Sequence, residues 1–258
     1  MQFKAKKSLG QHFLFHKDLC SQIVASSAPI AGKVVVEVGP GYGTLSQAIL
    51  AKNPSAFFMI EKDAKLAALL KDKYCSFPNA TVIHADALRV DLMSLTHENI
   101  VIISNLPYNI GTQLVCNWLG SLSGRIEHMT LMLQKEVVSR ICGTPGSANY
   151  GRLSLFCQLL ADCVKDFDVP AHYFTPPPQV MSAILQITPK NQSVDTQVLA
   201  NFEKIIKAAF IARRKIIKSS LRDFFTAPEL ERLGIDPTIR PQDLWAEQFW
   251  LLAQNIAQ

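Results

Sequence analysis

Five short runs of β-branched and apolar residues, at 33–38, 56–60, 80–84, 100–104 and 128–133, alternate with stretches of helical periodicity. Runs of four to six residues that are apolar on both faces suit strands covered by helices on each side. The order strand, helix, strand, helix predicts an α/β fold with a doubly wound, mostly parallel sheet. Two further strand candidates, at 162–169 and 182–188, flank a proline-rich stretch at 174–178 and predict a hairpin on the sheet edge, for seven strands in all. Beyond Pro189 the polar residues Asn191, Gln192 and Ser193 read as a linker, and helical periodicity at 198–225, 228–233 and 241–257 predicts a small all-helical domain. The expected division is therefore 1–189 and 190–258.

With 48% hydrophobic and 18% charged residues, the 258-residue chain can bury a sizeable core and is neither disordered nor fibrous. No run reaches the about 18 apolar residues of a membrane span, and the first residues lack the apolar core of a signal peptide. Six cysteines without a C-x-x-C pair read as free thiols of a reducing compartment, so a soluble cytoplasmic protein is expected.

Glu37-Val38-Gly39-Pro40-Gly41-Tyr42-Gly43 is the end of a strand running into a glycine turn, followed by a helix at 44–52. Glycines there let the backbone take positive φ and pass close to a ligand. A dinucleotide site wants G-x-G-x-x-G, which brings a pyrophosphate onto the helix N-terminus. Here Thr44 stands where the third glycine would be, and E-x-G-x-G-x-G suits a cofactor without a pyrophosphate, of which S-adenosylmethionine is the common one. Glu61 ends the second strand, where a carboxylate can accept from both ribose hydroxyls, and Asp86 follows the third, where it can accept from an adenine amine or cap a turn.

Ser104-Asn105-Leu106-Pro107-Tyr108-Asn109 ends the fourth strand, on the side of the sheet where ligands gather. Asn, an apolar residue, Pro and an aromatic form a tetrad suited to methyl transfer to a conjugated exocyclic amine. The N6 lone pair of adenine is delocalised into the ring, so the nitrogen attacks poorly until its hydrogens are held. Asn105 Oδ1 and the Leu106 carbonyl can each accept one, Pro107 stiffens the loop, and Tyr108 can stack on the base for about 1 to 3 kcal/mol.

At this point the chain resembles a known family. Gly10-Gln11-His12-Phe13-Leu14, the glycine loop, Asn105-Leu106-Pro107-Tyr108-Asn109-Ile110, Leu133-Gln134-Lys135-Glu136-Val137, Tyr150-Gly151-Arg152-Leu153-Ser154 and Phe174-Thr175-Pro176-Pro177-Pro178 are together similar to the ribosomal RNA adenine dimethyltransferases. The resemblance implies a Rossmann-like S-adenosylmethionine-dependent methyltransferase domain, a helical C-terminal domain, and dimethylation of two adjacent adenosines in the loop of the last helix of small-subunit rRNA. Carried onto this chain, it implies donor contacts from His12, Leu14, Gly39, Gly41, Glu61, Asp86 and Asn105. Position 12 is often Asn in bacterial members, so His12 departs from the pattern. The segment of Phe174 lines the target-base pocket in the family; Phe174 either sandwiches an extruded adenine with Tyr108 or anchors a rigid loop.

No metal is expected: His12 and His16 lack a third ligand, and residue 13 is Phe where a zincin carries Glu. The net charge of +5 is concentrated. Lys204, Lys207, Arg213, Arg214, Lys215, Lys218 and Arg222 follow one another without an intervening acid, with apolar residues at helical spacing between them. Such a face either is merely solvated or meets phosphates, and beside a nucleotide-modifying site it points to RNA, with Arg213, Arg214, Lys215 and Lys218 as its centre and Lys4, Lys6 and Lys7 as an extension. The expected partner is small-subunit rRNA or the immature small subunit, met by a monomer, with no membrane. The competing readings are a macrolide-resistance enzyme of the large subunit, an assembly factor that docks without needing catalysis, and a NAD-dependent oxidoreductase, which Thr44 disfavours.

Overall fold

The computed structural model describes residues 10–121, 124–190, 194–211, 215–256. Contacts divide the chain into two compact units: Met1–Val138 with Cys163–Pro189, and Ser139–Asp162 with Lys190–Gln258. The second unit is thus assembled from two stretches of chain rather than from residues 190–258 alone.

The first unit is built on β2 (Val34–Val38), β3 (Ala56–Glu61), β4 (Ala80–His84), β5 (Ile100–Asn105), β6 (Ile126–Gln134), β7 (Ala161–Val169) and β9 (Ser182–Pro189), with α1 (Lys17–Ser26), α2 (Thr44–Leu50), α3 (Ala64–Lys73) and α4 (Gly111–Gly120) between them. The strands lie in the order β4-β3-β2-β5-β6-β9-β7, a doubly wound sheet of the Rossmann-like kind that the family resemblance implies. The pairs β2–β3, β2–β5, β3–β4 and β5–β6 are parallel, and β6–β9 is antiparallel. Every residue of β2, and all of β5 up to Ser104, is buried, the double-faced burial that their β-branched runs require. The last strand, β9, inserts between β6 and β7, so β7 forms the edge. That edge strand carries Asp162, Lys165, Asp166 and Asp168, charges that discourage pairing with another chain.

Strand order reverses between β2, which leads towards β4, and β5, which leads towards β7. A crevice opens at such a switch point, beyond the carboxyl ends of the strands. A separate two-stranded sheet pairs β1 (Phe13–Leu14) with β8 (Phe174–Thr175), Phe13 opposite Thr175 and Leu14 opposite Phe174. It ties the N-terminal segment to the proline-rich loop.

The second unit contains α6 (Arg152–Leu160), α7 (Thr196–Ile211), α8 (Ile217–Ser220), α9 (Ala227–Arg232) and α10 (Ala246–Gln254), and α5 (Lys135–Ile141) runs into it. Leu199, Phe202, Ile205, Ile206 and Ala209 of α7 are buried, as are Phe249, Leu252 and Ala253 of α10. The periodicity at 198–225 does not make one helix: Ile216 is extended (φ −68, ψ 156) and caps α8. The first amides of α8 find acceptors far along the chain, Ile217 N–H on the Ile239 carbonyl at 2.7 Å and Lys218 N–H on the Pro237 carbonyl at 3.2 Å. Among the described residues no helix is long and apolar enough to cross a membrane.

Candidate active site

The turn from β2 into α2 is shaped by glycines. Gly39, Gly41 and Gly43 all have positive φ. A Cβ on Gly41 would lie 2.9 Å from the Phe13 ring, and one on Gly39 would lie 3.3 Å from Pro107 Cγ. Side chains are excluded on both counts, and bare backbone faces the crevice. The loop is also held from behind. Tyr74 O–H donates to the Gly43 carbonyl at 2.6 Å and Lys73 Nζ to the Tyr42 carbonyl at 2.9 Å, which turns these carbonyls towards α3 and away from the ligand side. Under the loop Glu37 is 1% exposed and accepts from Ser46 Oγ at 2.6 Å. Burial, with the nearby Glu61 adding to it, pushes the Glu37 carboxyl up to about 8.

Beyond the strand ends lies a cleft lined by His12, Gly39, Gly41, Glu61, Asp86 and the whole run Asn105 to Tyr108, among others. All these residues belong to the first unit. Glu61, at the end of β3, is buried; its Oε2 accepts from Gly41 N–H at 3.2 Å and its Oε1 from Asp63 N–H at 2.8 Å. Burial raises its pKa against the pull of these amides. Asp86 both caps the turn that follows it, through Leu88 N–H at 3.2 Å, and pairs with Lys62 Nζ at 2.7 Å. The bond from the ammonium holds its carboxyl below the usual range.

At the end of β5, Asn105 Nδ2 donates to the main-chain carbonyl of His12 at 3.3 Å. A carbonyl only accepts, so this contact assigns the amide nitrogen and leaves Oδ1 as an acceptor that no described residue engages. Leu106 is anchored by its N–H to the Met132 carbonyl at 3.2 Å, and the Pro107 carbonyl closes the first turn of α4 by accepting from Gly111 N–H at 2.9 Å. Between them, the Leu106 carbonyl takes no hydrogen bond from a described residue. Tyr108 O–H and Ser182 Oγ are 2.6 Å apart, and the His12 ring stacks on the Tyr108 ring at 5.2 Å.

Several residues singled out in the sequence lie elsewhere. Leu14 is buried and lines a smaller adjoining cavity together with Glu37, Tyr42 and Asn105. Phe174 is 3% exposed and packs in the same hydrophobic cluster as Leu14 and Val169; it is not among the residues lining the cleft. Lys215 and Lys218 are exposed in the second unit, whereas Arg213, Arg214 and Lys4, Lys6 and Lys7 fall outside the described residues. No group of three or more His, Cys, Asp or Glu able to hold a metal is found among the described residues. Sequence reasoning missed the part played by Ser104. Its buried hydroxyl donates to the Val38 carbonyl at 2.5 Å and accepts from Val38 N–H at 3.3 Å. A polar residue inside an otherwise apolar strand was the available signal.

Comparison with known proteins gives this cleft a family. Residues 2–258 match the family model described as ribosomal RNA adenine dimethylase. A protein of Rhizobium etli (strain CIAT 652) named ribosomal RNA small subunit methyltransferase A is 40% identical over 256 residues, covering 98% of this chain and 93% of its own length. The protein of that name from Neorickettsia sennetsu (strain ATCC VR-367 / Miyayama) is 39% identical and covers 96% of each chain. In fold the chain is similar to a dimethyladenosine transferase from Plasmodium falciparum, with a TM-score of 0.81 at 23% identity over 93% of this chain and 96% of that one. It is also similar to the 23S rRNA methyltransferase ErmE, with a TM-score of 0.73 at 23% identity over 95% and 100% of the two chains. With its sheet order, its glycine turn and the Asn105 tetrad at the switch point, the chain belongs to the ribosomal RNA adenine dimethylase family.

Proposed function

We propose that the cleft dimethylates N6 of two adjacent adenosines in the 3′-terminal hairpin loop of small-subunit rRNA, using S-adenosylmethionine, during assembly of the small subunit in the cytoplasm. The observation that carries the reading is the pair of free acceptors at the end of β5. Asn105 Oδ1 and the Leu106 carbonyl belong to adjacent residues, and neither takes a hydrogen bond from a described residue. Two acceptors match the two hydrogens of an adenine amine, and holding both favours a pyramidal nitrogen with its lone pair aimed across the cleft.

The residues fit the donor. The glycine backbone leaves room beside the tetrad, Glu61 presents a buried carboxylate suited to two ribose hydroxyls, and ionised Asp86 suits the adenine amine. When bound, the donor supplies an electrophilic methyl on a sulfonium sulfur, and the C–S electron pair stays with the sulfur as the N–C bond forms. Asn105 and Leu106 orient the attacking amine, Tyr108 supplies a neutral stacking face whose hydroxyl pKa burial pushes up, and the proton from the alkylated amine passes to water. Leu14 completes the donor side in this reading. Lys215, Lys218, Arg213 and Arg214 meet phosphates of the RNA.

The test is primer extension on rRNA of cells lacking the gene, complemented with the wild type or with Asn105→Ala. Dimethylated adenines stop reverse transcriptase. The stop near the 3′ end of small-subunit rRNA should vanish without the gene, return with the wild type and stay absent with Asn105→Ala, for a rate loss of about 10² to 10³. A stop that depends on the gene only in large-subunit rRNA would transfer the activity to that subunit. Full stops with Asn105→Ala would remove the proposed role of the tetrad.

A further inference from the structure

The family resemblance implies a methyl-donor contact at His12, yet its hydrogen bonds and ring contact run in another direction. The ring stacks on Tyr108 with centroids 5.2 Å apart and planes 29° from parallel. Its Nδ1 lies 2.8 Å from the Pro176 carbonyl, and because a carbonyl only accepts, Nδ1 carries the proton. Its main-chain carbonyl accepts from Asn105 Nδ2. One residue therefore joins the tetrad loop at two points to the proline-rich loop. It also continues, through its side chain, the short β1–β8 ladder in which Phe13 faces Thr175.

We propose that His12 is a positioning residue for the target adenine: its ring buttresses one face of Tyr108, so that the other face meets the base at the height set by Asn105 and Leu106. The inference rests on the adenine N6 reading of the cleft. The second methyl transfer should depend on it most. After the first transfer N6 retains a single hydrogen, so one of the two acceptors at the end of β5 loses its partner, and the stacked ring must do more to fix the base.

The experiment compares His12→Ala, His12→Phe and His12→Asn in the full-length protein acting on immature small subunits. Nucleoside analysis gives the ratio of N6-monomethyl to N6,N6-dimethyl adenosine, and calorimetry with S-adenosylhomocysteine gives the affinity on the donor side. Phe keeps a flat ring against Tyr108 and loses the bond to Pro176; Asn keeps a donor for Pro176 and loses the stack. His12→Ala should lower kcat at saturating RNA and donor at least tenfold and make the monomethyl product predominate, with S-adenosylhomocysteine affinity within threefold of wild type. His12→Phe should recover most of the dimethyl product, and His12→Asn should behave like Ala. The proposal is overturned if His12→Ala weakens S-adenosylhomocysteine at least tenfold while the product ratio at saturation is unchanged, since His12 would then serve the donor. It is equally overturned if Asn restores dimethylation and Phe does not. A wild-type protein that methylates no small-subunit adenine would instead defeat the functional reading, before any variant is compared.

Discussion

Glu37 and Glu61 are buried carboxylates at the ends of neighbouring strands, and they differ in their hydrogen-bond partners. Glu61 accepts two backbone amides, a setting that shapes the ionised form. Glu37 has the Ser46 hydroxyl and is pushed by burial from 4.5 up to about 8. In the window between these values the folded protein keeps a proton that the unfolded chain has released. Stability from this group is therefore fully present below about pH 4.5 and is lost as the pH rises towards 8, with a slope of up to about 1.4 kcal/mol per pH unit. The upward shift of Glu61 acts in the same sense, so the effect of Glu37 is isolated by substitution. Denaturant melts of wild type and Glu37→Gln at pH 5.5, 6.5 and 7.5 should show the variant gaining on the wild type at each step. Parallel curves would show that Glu37 ionises in the folded protein as it does in the unfolded chain.

At the level of elements, β2 and β5 are the strands that must part for the cleft to open. Their backbone pairing runs from Val34 opposite Ile100 to Val36 opposite Ile102. Two residues further on, the Ser104 side chain bonds both the N–H and the C=O of Val38, so a hydroxyl replaces the ladder where the backbones diverge. Ser104→Ala leaves those two buried groups without this partner and should cost about 1 to 3 kcal/mol, read as a lower denaturant midpoint at unchanged m-value. A midpoint equal to wild type would mean that Val38 finds other partners. This contact also shows where the sequence stops being informative. The strands were legible because β-branched runs between helical stretches have few other uses. Glu61, Asp86 and Asn105 were legible because residues at strand ends share one edge of the sheet, and the cleft brings them together. The insertion of β9 between β6 and β7 was not legible, since period-two alternation says which face is buried but not which strand lies alongside. The break between α7 and α8 was hidden for a similar reason. Ile216 and Ile217 keep helical spacing with the residues before them, yet Ile216 is extended and the first amides of α8 take acceptors at Pro237 and Ile239, which no local pattern reveals. Phe174 shows the same limit at a single side chain: its strand partner Leu14 comes from the other end of the first unit, and Phe174 is buried in the hydrophobic cluster that holds them both.

For the whole molecule the question is where its net positive charge acts. In the second unit Lys204 and Lys207 lie one turn apart on α7, both exposed, while Phe202, Ile205, Ile206 and Ala209 of the same helix are buried. Lys215 and Lys218 are exposed as well, and none of these four lysines forms an ion pair with a described residue, whereas Arg222 has Asp223 at 3.7 Å. Unpaired cations of one sign repel each other, so a phosphate backbone is a partner that would relieve them. The triple variant Lys204→Gln, Lys207→Gln and Lys218→Gln should weaken binding to immature subunits and flatten the plot of log affinity against log salt. If all three lysines contact phosphates, the slope should fall by about 2 to 3, because each contact releases somewhat less than one counterion. Affinity for S-adenosylhomocysteine should stay the same, since every residue lining the donor cleft belongs to the first unit. The three single variants, measured beside the triple, assign the contacts, each true contact removing somewhat under one unit of slope. An unchanged slope in the triple variant would make this a solvated helix face and would leave RNA docking to other cations of the chain.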